Sequence, residues 1–281
     1  MIAVYEKYPP LPLKELVEGI NSFPNLPRQG KMDFISRIIG IHPTLHIGCI
    51  LGGNTFRVRN MNGKSIDKME DILWPPLSQG ENNRLGHMYY VATNQHTALA
   101  EIDDGKRQVV VMVRYKQEYP CVLYPAGEED TITRGGIGFI DDAKKRQTLI
   151  NQLKDLENKD YDAAMAWVMQ QAFIAEQCAS EDRGLSQHAF SEILAKEKKL
   201  EGVVYPSLKR KGGFNLALSP KTFLDNWILE SVTKMKVERL PYVFYRMTTL
   251  ATVTDIDSSG YFTWEDNNGH ERMETFLSAK P

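Results

Sequence analysis

The sequence predicts an α+β fold, a mixed or mostly antiparallel sheet core with a helical insertion. Three observations carry this expectation. Apolar runs at strand spacing, bounded by turn residues, dominate residues 45–124 and return from 203 onward. Residues 141–200 switch to apolar residues at helical spacing. A helical preface, 1–44, precedes both. The chain of 281 residues, 42% hydrophobic and 25% charged, has the balance of a globular protein large enough for one sizeable core.

In the preface, Pro9, Pro10 and Pro12 lead into a helical run from Leu13 to Ile20, broken by Pro24 and Pro27. A second short helix over Met32–Ile39 stops at Gly40 and Pro43. Such a preface could brace the core or dock a partner. From Leu45, His46–Leu51 and Thr55–Arg59 read as two strands flanking a Gly52-Gly53 turn. Residues 60–83 read as a polar loop. Gln108–Tyr115 is the strongest strand, and its unbroken apolar run implies burial on both faces. Another strand is expected over Tyr119–Tyr124. Within the insertion, Asp141 and Asp142 suit a helix N-terminus. Three helices follow, one carrying Ile150, Leu153 and Leu156 on a face, one over Ala163–Cys178 and one over Leu185–Lys199. Strands return at 203–206 and 214–218. The tail, 227–276, alternates apolar and polar residues, with turns at Asp257–Gly260 and at Asn267-Asn268-Gly269, the latter a hairpin signal.

The formal net charge of −2 provides no global field for nucleic acid or anionic membrane. Lys209-Arg210-Lys211 reads as a solvated basic turn. Cys49, Cys121 and Cys178 are too far apart in sequence for a zinc motif, and their odd number argues against a disulfide framework, so they read as buried free thiols. The N-terminus shows no basic segment followed by an apolar core, and no run approaches the ~18 apolar residues of a membrane helix. The cytoplasm is the expected location. Phosphate-loop, dinucleotide-fingerprint, HExxH and G-x-S-x-G motifs are missing, and the six histidines show no metal-ligand spacing. Thr133–Gly138 is glycine-rich and reads as a flexible loop. His96 reads as a surface residue.

Three segments carry chemistry. Thr55–Arg59 offers arginines at a strand edge. Met88–Ala92 and the short helix Thr97–Glu101 place a carboxylate after an apolar helix side. Val203–Tyr205, followed by Pro206, places Ser207 just past a strand. Together they would give one cleft a cation for phosphates, an acid for a ribose and a small hydroxyl.

The order of FRV at 56–58, Tyr-x-Ala at 90–92, TALAE at 97–101, YPS at 205–207 and NLALSP at 215–220 resembles the RES domain. The resemblance covers about Thr55 to about Pro220, with a long insertion between the second and third motifs. It implies a fold related to ADP-ribosylating toxins and cleavage of the nicotinamide–ribose bond of NAD. The acceptor could be water, inorganic phosphate or a protein side chain. On this resemblance the chain divides into the preface, 1–44, and a RES-like catalytic domain, 45–281, with the insertion 141–200. Catalytic roles fall to Glu101, Ser207 and Tyr90. Glu101 would stabilise an oxocarbenium-like ribose. Tyr90 would stack on nicotinamide, and Ser207 would orient the nicotinamide or Glu101 rather than attack. Arg57, Arg84 and Arg59 are the candidates for the pyrophosphate. Arg84 departs from the family pattern, standing six residues before Tyr90 and followed by Leu85-Gly86.

No cofactor beyond NAD as substrate is expected, and no metal. The resemblance also implies a growth-inhibiting toxin or defence effector, with a neutralising antitoxin or immunity protein as partner; a non-catalytic interaction protein is the alternative. The insertion helices carry Trp167, Phe173, Ile174, Phe190, Ile193 and Leu194. That is more apolar surface than one docking face needs, so the insertion is the expected partner surface unless its helices pack on one another.

Overall fold

The computed structural model describes residues 4–43, 47–49, 53–61, 63, 65–73, 88–103, 105, 107–134, 139, 143–241, 244–267 and 272–273. The preface holds α1 (Val4–Lys7), α2 (Leu13–Ser22) and α3 (Arg28–Ile41). Then come β1 (Ile47–Cys49), β2 (Asn54–Asn60), α4 (Met69–Ile72), β3 (Tyr89–Ala92), α5 (Gln95–Ile102), β4 (Gln108–Gln117), β5 (Cys121–Pro125) and α6 (Glu128–Thr133). The insertion forms α7 (Ala143–Lys159), α8 (Tyr161–Cys178) and α9 (Arg183–Lys196). After it come β6 (Gly202–Pro206), β7 (Phe214–Leu218), α10 (Pro220–Asn226), β8 (Trp227–Leu240), β9 (Phe244–Ile256), β10 (Phe262–Asp266) and β11 (Arg272–Met273).

The strands form one 11-stranded sheet in the order β1-β5-β6-β7-β3-β2-β4-β8-β9-β10, with β11 beside β9. The β5–β6 pair is parallel; the other pairs are antiparallel. The fold is therefore α+β with a mixed sheet. Alternation sorts side chains to two faces. One face carries Val111, Val113, Tyr115, Tyr89 and Leu216, with Phe223 of α10 and Leu149 of α7 packed on them. The other carries Val58, Val110 and Met112 under Leu99 of α5, and Val203, Tyr205 and Ala217 under α8 and α9. The expected two-faced burial of β4 is thus seen, since Val110 to Val113 are all buried, in two different clusters.

Local readings failed where pairing is long-range. The segments around Gly52-Gly53 do not form a hairpin. β1 pairs with β5, whereas β2 pairs with β4 and β3. Likewise β10 and β11 pair in succession along β9 rather than with each other. The 60–83 loop contains a short helix, α4. The Asp257–Gly260 turn is present, closed by the Gly260 N–H on Asp257 O at 2.9 Å. Asp141, Asp142 and residues 135–138 lie outside the described residues.

The preface and the insertion share one core. Leu16 of α2 and Ile35, Ile38 and Ile39 of α3 cluster with Phe173, Ile174, Phe190 and Ile193. This corrects the expectation of surplus apolar surface on the insertion. Trp167, Phe173, Ile174, Phe190 and Ile193 are all buried, and Leu194 is partly so. The bracing role of the preface consumes that surface. A further tie is polar: Gln171 of α8 accepts from the Gly127 N–H at 2.7 Å and donates to the Tyr124 hydroxyl at 2.9 Å. Ile38 is fully buried between these layers. Ile38→Ala is expected to cost about 2–5 kcal/mol of stability, read from the shift of the denaturant midpoint. A loss below about 0.5 kcal/mol would show a preface that frays without cost to the core. Cys121 and Cys178 are buried free thiols, as expected; the side chain of Cys49 is outside the described set. No described helix is long and apolar enough to cross a membrane.

Candidate functional site

The site begins with the short helix α5. Asn94 caps it, its Oδ1 accepting from the Thr97 N–H at 2.9 Å and the Thr97 hydroxyl at 3.0 Å. Ala98, Leu99 and Ala100 are buried, which fixes the helix against the sheet and sets Glu101 in its last turn. Glu101 Oε1 accepts from Ser207 Oγ at 2.7 Å and from Asn215 Nδ2 at 2.6 Å. Glu101 Oε2 accepts no hydrogen bond from the described residues. The carboxylate is thus anchored through one oxygen and presents the other.

Ser207 stands just past β6. Its Oγ accepts from the backbone N–H groups of Lys209 at 3.2 Å and Arg210 at 3.1 Å. With both lone pairs engaged, the hydroxyl can only donate, and it donates to Glu101. A nucleophilic serine needs a free lone pair and a base that takes its proton; this hydroxyl is instead built into a turn. The Ser207 N–H closes the turn on Gly213 O at 2.8 Å. Arg210 latches it to α5, its Nη1 donating to Asn94 Oδ1 at 2.7 Å. Asn94 thereby joins the helix cap to the serine loop.

Gly213 lets this loop lie against α5. A Cβ there would stand 2.3 Å from Thr97 Oγ1 and 2.9 Å from Thr97 Cγ2, on a fully buried side chain. Its neighbour Gly212 has φ +78 and open space around it. Gly213→Ala is therefore expected to displace Ser207 and lower turnover by about 10-fold, as small displacements in catalytic geometry do. Gly212→Ala should cost about 1 kcal/mol of backbone strain and leave turnover intact. Equal turnover by the two variants would show that the loop's approach to α5 is irrelevant to the site.

The arginines meet the site where the sheet opens. β2 pairs with β4 from Asn54 to Asn60 but with β3 only at Phe56↔Ala92. Beyond that point β2 and β3 part, and Arg57 and Arg59 lie on the parting stretch, on the same face as Tyr89. Arg57 is buried, its guanidinium carbon 4.1 Å from the centre of the Tyr89 ring. Arg59 Nε and Nη2 are buried without a hydrogen-bond partner among the described residues. Burial, then the Arg57 cation, pulls the Arg59 guanidinium down to about 10.

Tyr90 lies on the other face from Tyr89, tilted against Phe190 of α9 with ring centres 5.9 Å apart. Burial raises its phenol to about 12, opposed by Arg183, by a hydrogen bond to Ser186 and by Arg57. The insertion therefore reaches the opening through Arg183, Ser186 and Phe190. Tyr205, fully buried, is pushed up by burial and by its neighbours Tyr90 and Glu101.

Glu101 and Ser207 come into direct contact across 106 positions of sequence. Arg57 and Arg59 share the Tyr89 face of the sheet, Tyr90 lies on the other face against Phe190, and Arg84 lies outside the described residues. His96 is not a surface residue. It is buried, stacked near Tyr245 with ring centres 6.2 Å apart, and pulled down by burial and by Arg210. Arg210 is likewise no plain solvated turn residue, since it reaches Asn94. Sequence reasoning quoted Asn215 within NLALSP but did not single it out. The available signal was a single polar residue, second in an otherwise apolar strand. Among the described residues, no group of three His, Cys, Asp or Glu is placed to hold a metal. Compared with known protein families and with curated sequences, the chain matches none.

Proposed function

We propose that this chain is a NAD-consuming enzyme that cleaves the nicotinamide–ribose bond, as a glycohydrolase or phosphorylase on a sheet of ADP-ribosyltransferase kind. The observation that carries the reading is the Glu101 carboxylate, tied twice through Oε1 and bare at Oε2; Arg57 and Arg59 lie on the stretch of β2 that leaves β3. The resemblance to the RES domain points the same way, on the same residues.

The chemistry follows from charge. The C1′–N bond breaks with its electron pair leaving on nicotinamide, which departs as a neutral pyridine, so no proton is needed at the leaving group. Positive charge develops on the ribose. Glu101 Oε2, hydrogen-bonded to a ribose hydroxyl, stabilises that charge as it forms. Arg57 and Arg59 bind the pyrophosphate, where a forked, permanently charged donor suits two phosphoryl groups. Tyr90 stacks on nicotinamide, and Ser207 holds Glu101. Water as acceptor yields ADP-ribose; inorganic phosphate yields an ADP-ribose phosphate. A protein acceptor would make the chain an ADP-ribosyltransferase. The setting that fits is the cytoplasm, where depletion of NAD stops growth.

The test is incubation of purified protein with NAD, with and without inorganic phosphate and with cell lysate, analysed by mass. Release of nicotinamide is expected, and the mass of the second product assigns the acceptor. Intact NAD after hours under all three conditions defeats the proposal. A pure interaction protein has no use for a carboxylate held with one oxygen bare.

A further inference from the structure

We propose that Asn215 is a positioning residue for Glu101, deciding which carboxylate oxygen is left free to meet a substrate; the catalytic consequence rests on the reading given above. Asn215 is the second residue of β7 and is fixed from both sides, paired with Ala92 of β3 and Tyr205 of β6. It is buried, and its Nδ2 donates to Glu101 Oε1 at 2.6 Å. Ser207 donates to the same oxygen.

Two donors on one oxygen do two things. They select the rotamer in which Oε2 points away from the anchor, and they hold that rotamer from two separate elements, the serine loop and β7. The two donors are not equivalent. Ser207 sits on a loop held by Arg210 and Gly213. Asn215 sits in mid-sheet, where the backbone cannot give. The amide is also the side chain of this size that donates without bringing a charge. The ionisable neighbours are Tyr205 of β6, which feels the Glu101 carboxylate, and Arg210 of the serine loop, whose backbone N–H lies on Ser207 Oγ; neither hydrogen-bonds Glu101.

The experiment compares wild type, Asn215→Asp and Asn215→Ala by two readouts. One is the titration of the Glu101 side-chain carboxyl by carbon NMR, its signal assigned by loss in Glu101→Gln. The other is the pH profile of NAD turnover. Asn215→Asp is nearly isosteric but puts a second carboxylate against Oε1, so the two groups should share a proton. The Glu101 titration should move up by about one pH unit or more, and kcat should fall below wild type as pH drops through the raised titration, the loss shrinking as pH rises. KM should stay within about twofold, because Asn215 touches the carboxylate and not the substrate.

Asn215→Ala removes the donor without adding charge and should lower kcat without the pH-dependent recovery. It also decides the matter if Asn215→Asp fails to fold. A merely structural asparagine would shift the unfolding midpoint and leave the titration where it was. Wild-type kcat in a folded Asn215→Ala, or an unchanged Glu101 titration in a folded Asn215→Asp, overturns the proposal. If wild-type protein leaves NAD intact, the enzymatic reading falls, and the carboxyl titration alone still decides whether Asn215 sets the state of Glu101.

Discussion

Glu101→Gln is expected to lower NAD turnover by about 100- to 1000-fold, the usual cost of removing one preorganised electrostatic contact to the transition state. The substitution is well posed here because both donors to the carboxylate can stay. Ser207 and Asn215 each give a hydrogen to Oε1, and the amide oxygen of glutamine can accept from both. The side chain keeps its anchor and its size while the charge disappears. Stability should change little, since Glu101 is only partly buried and the apolar side of α5 is carried by Ala98, Leu99 and Ala100. The deficit should appear in kcat, with KM nearly unchanged, because the charge matters most when the ribose becomes cationic. Turnover by a folded Glu101→Gln within tenfold of wild type would remove Glu101 from the chemistry.

The parts of this site that could be read from the sequence are those set by local pattern. TALAE forms a helix because a capping asparagine precedes a run of good helix formers, and its apolar side fixes where Glu101 emerges. YPS ends a buried strand, which places Ser207 at a sheet edge. The same holds for β4, whose unbroken run of valines has no polar face to turn to solvent, and for the three insertion helices, each with its own apolar stripe.

What could not be read depends on register between distant strands. Nothing local says that β2 leaves β3 after Phe56↔Ala92, yet that parting is what turns Arg57 and Arg59 from strand residues into the lining of an opening. The Gly52-Gly53 turn suggests a hairpin because turn chemistry acts over four residues. The actual partners of β1 and β2 lie far along the chain. The apolar stripes of α8 and α9 likewise show that they must pack, but only the fold reveals α2 and α3 as what they pack on. Asn215 was hidden for a related reason, since one polar residue in a strand acquires meaning only when its cross-strand surroundings are known.

Replacing Arg59 should move stability and affinity in opposite directions. Its guanidinium is buried with Nε and Nη2 unpartnered among the described residues, beside a second arginine on the same strand face. Two like charges withdrawn from water raise the energy of the ligand-free protein. Arg59→Met keeps most of the apolar stem and removes the charge. It should therefore leave the free protein as stable as wild type or more so, by up to about 1–2 kcal/mol. NAD binding should weaken by about 1.5–3 kcal/mol, roughly 10- to 150-fold, as expected for loss of a hydrogen bond to a charged phosphoryl group. Arg57→Met should weaken binding to the same extent. Its stability gain should be smaller, because its guanidinium already lies over the Tyr89 ring, a contact that offsets part of the desolvation. The measurements are denaturant unfolding without ligand and calorimetric titration with NAD on a turnover-dead Glu101→Gln background, which keeps the ligand whole. An Arg59→Met protein that is destabilised and binds NAD normally would show that this arginine is a structural residue and that the pyrophosphate lies elsewhere. Raised stability with lost affinity is instead the mark of a side chain held in an unfavourable place for the sake of its ligand.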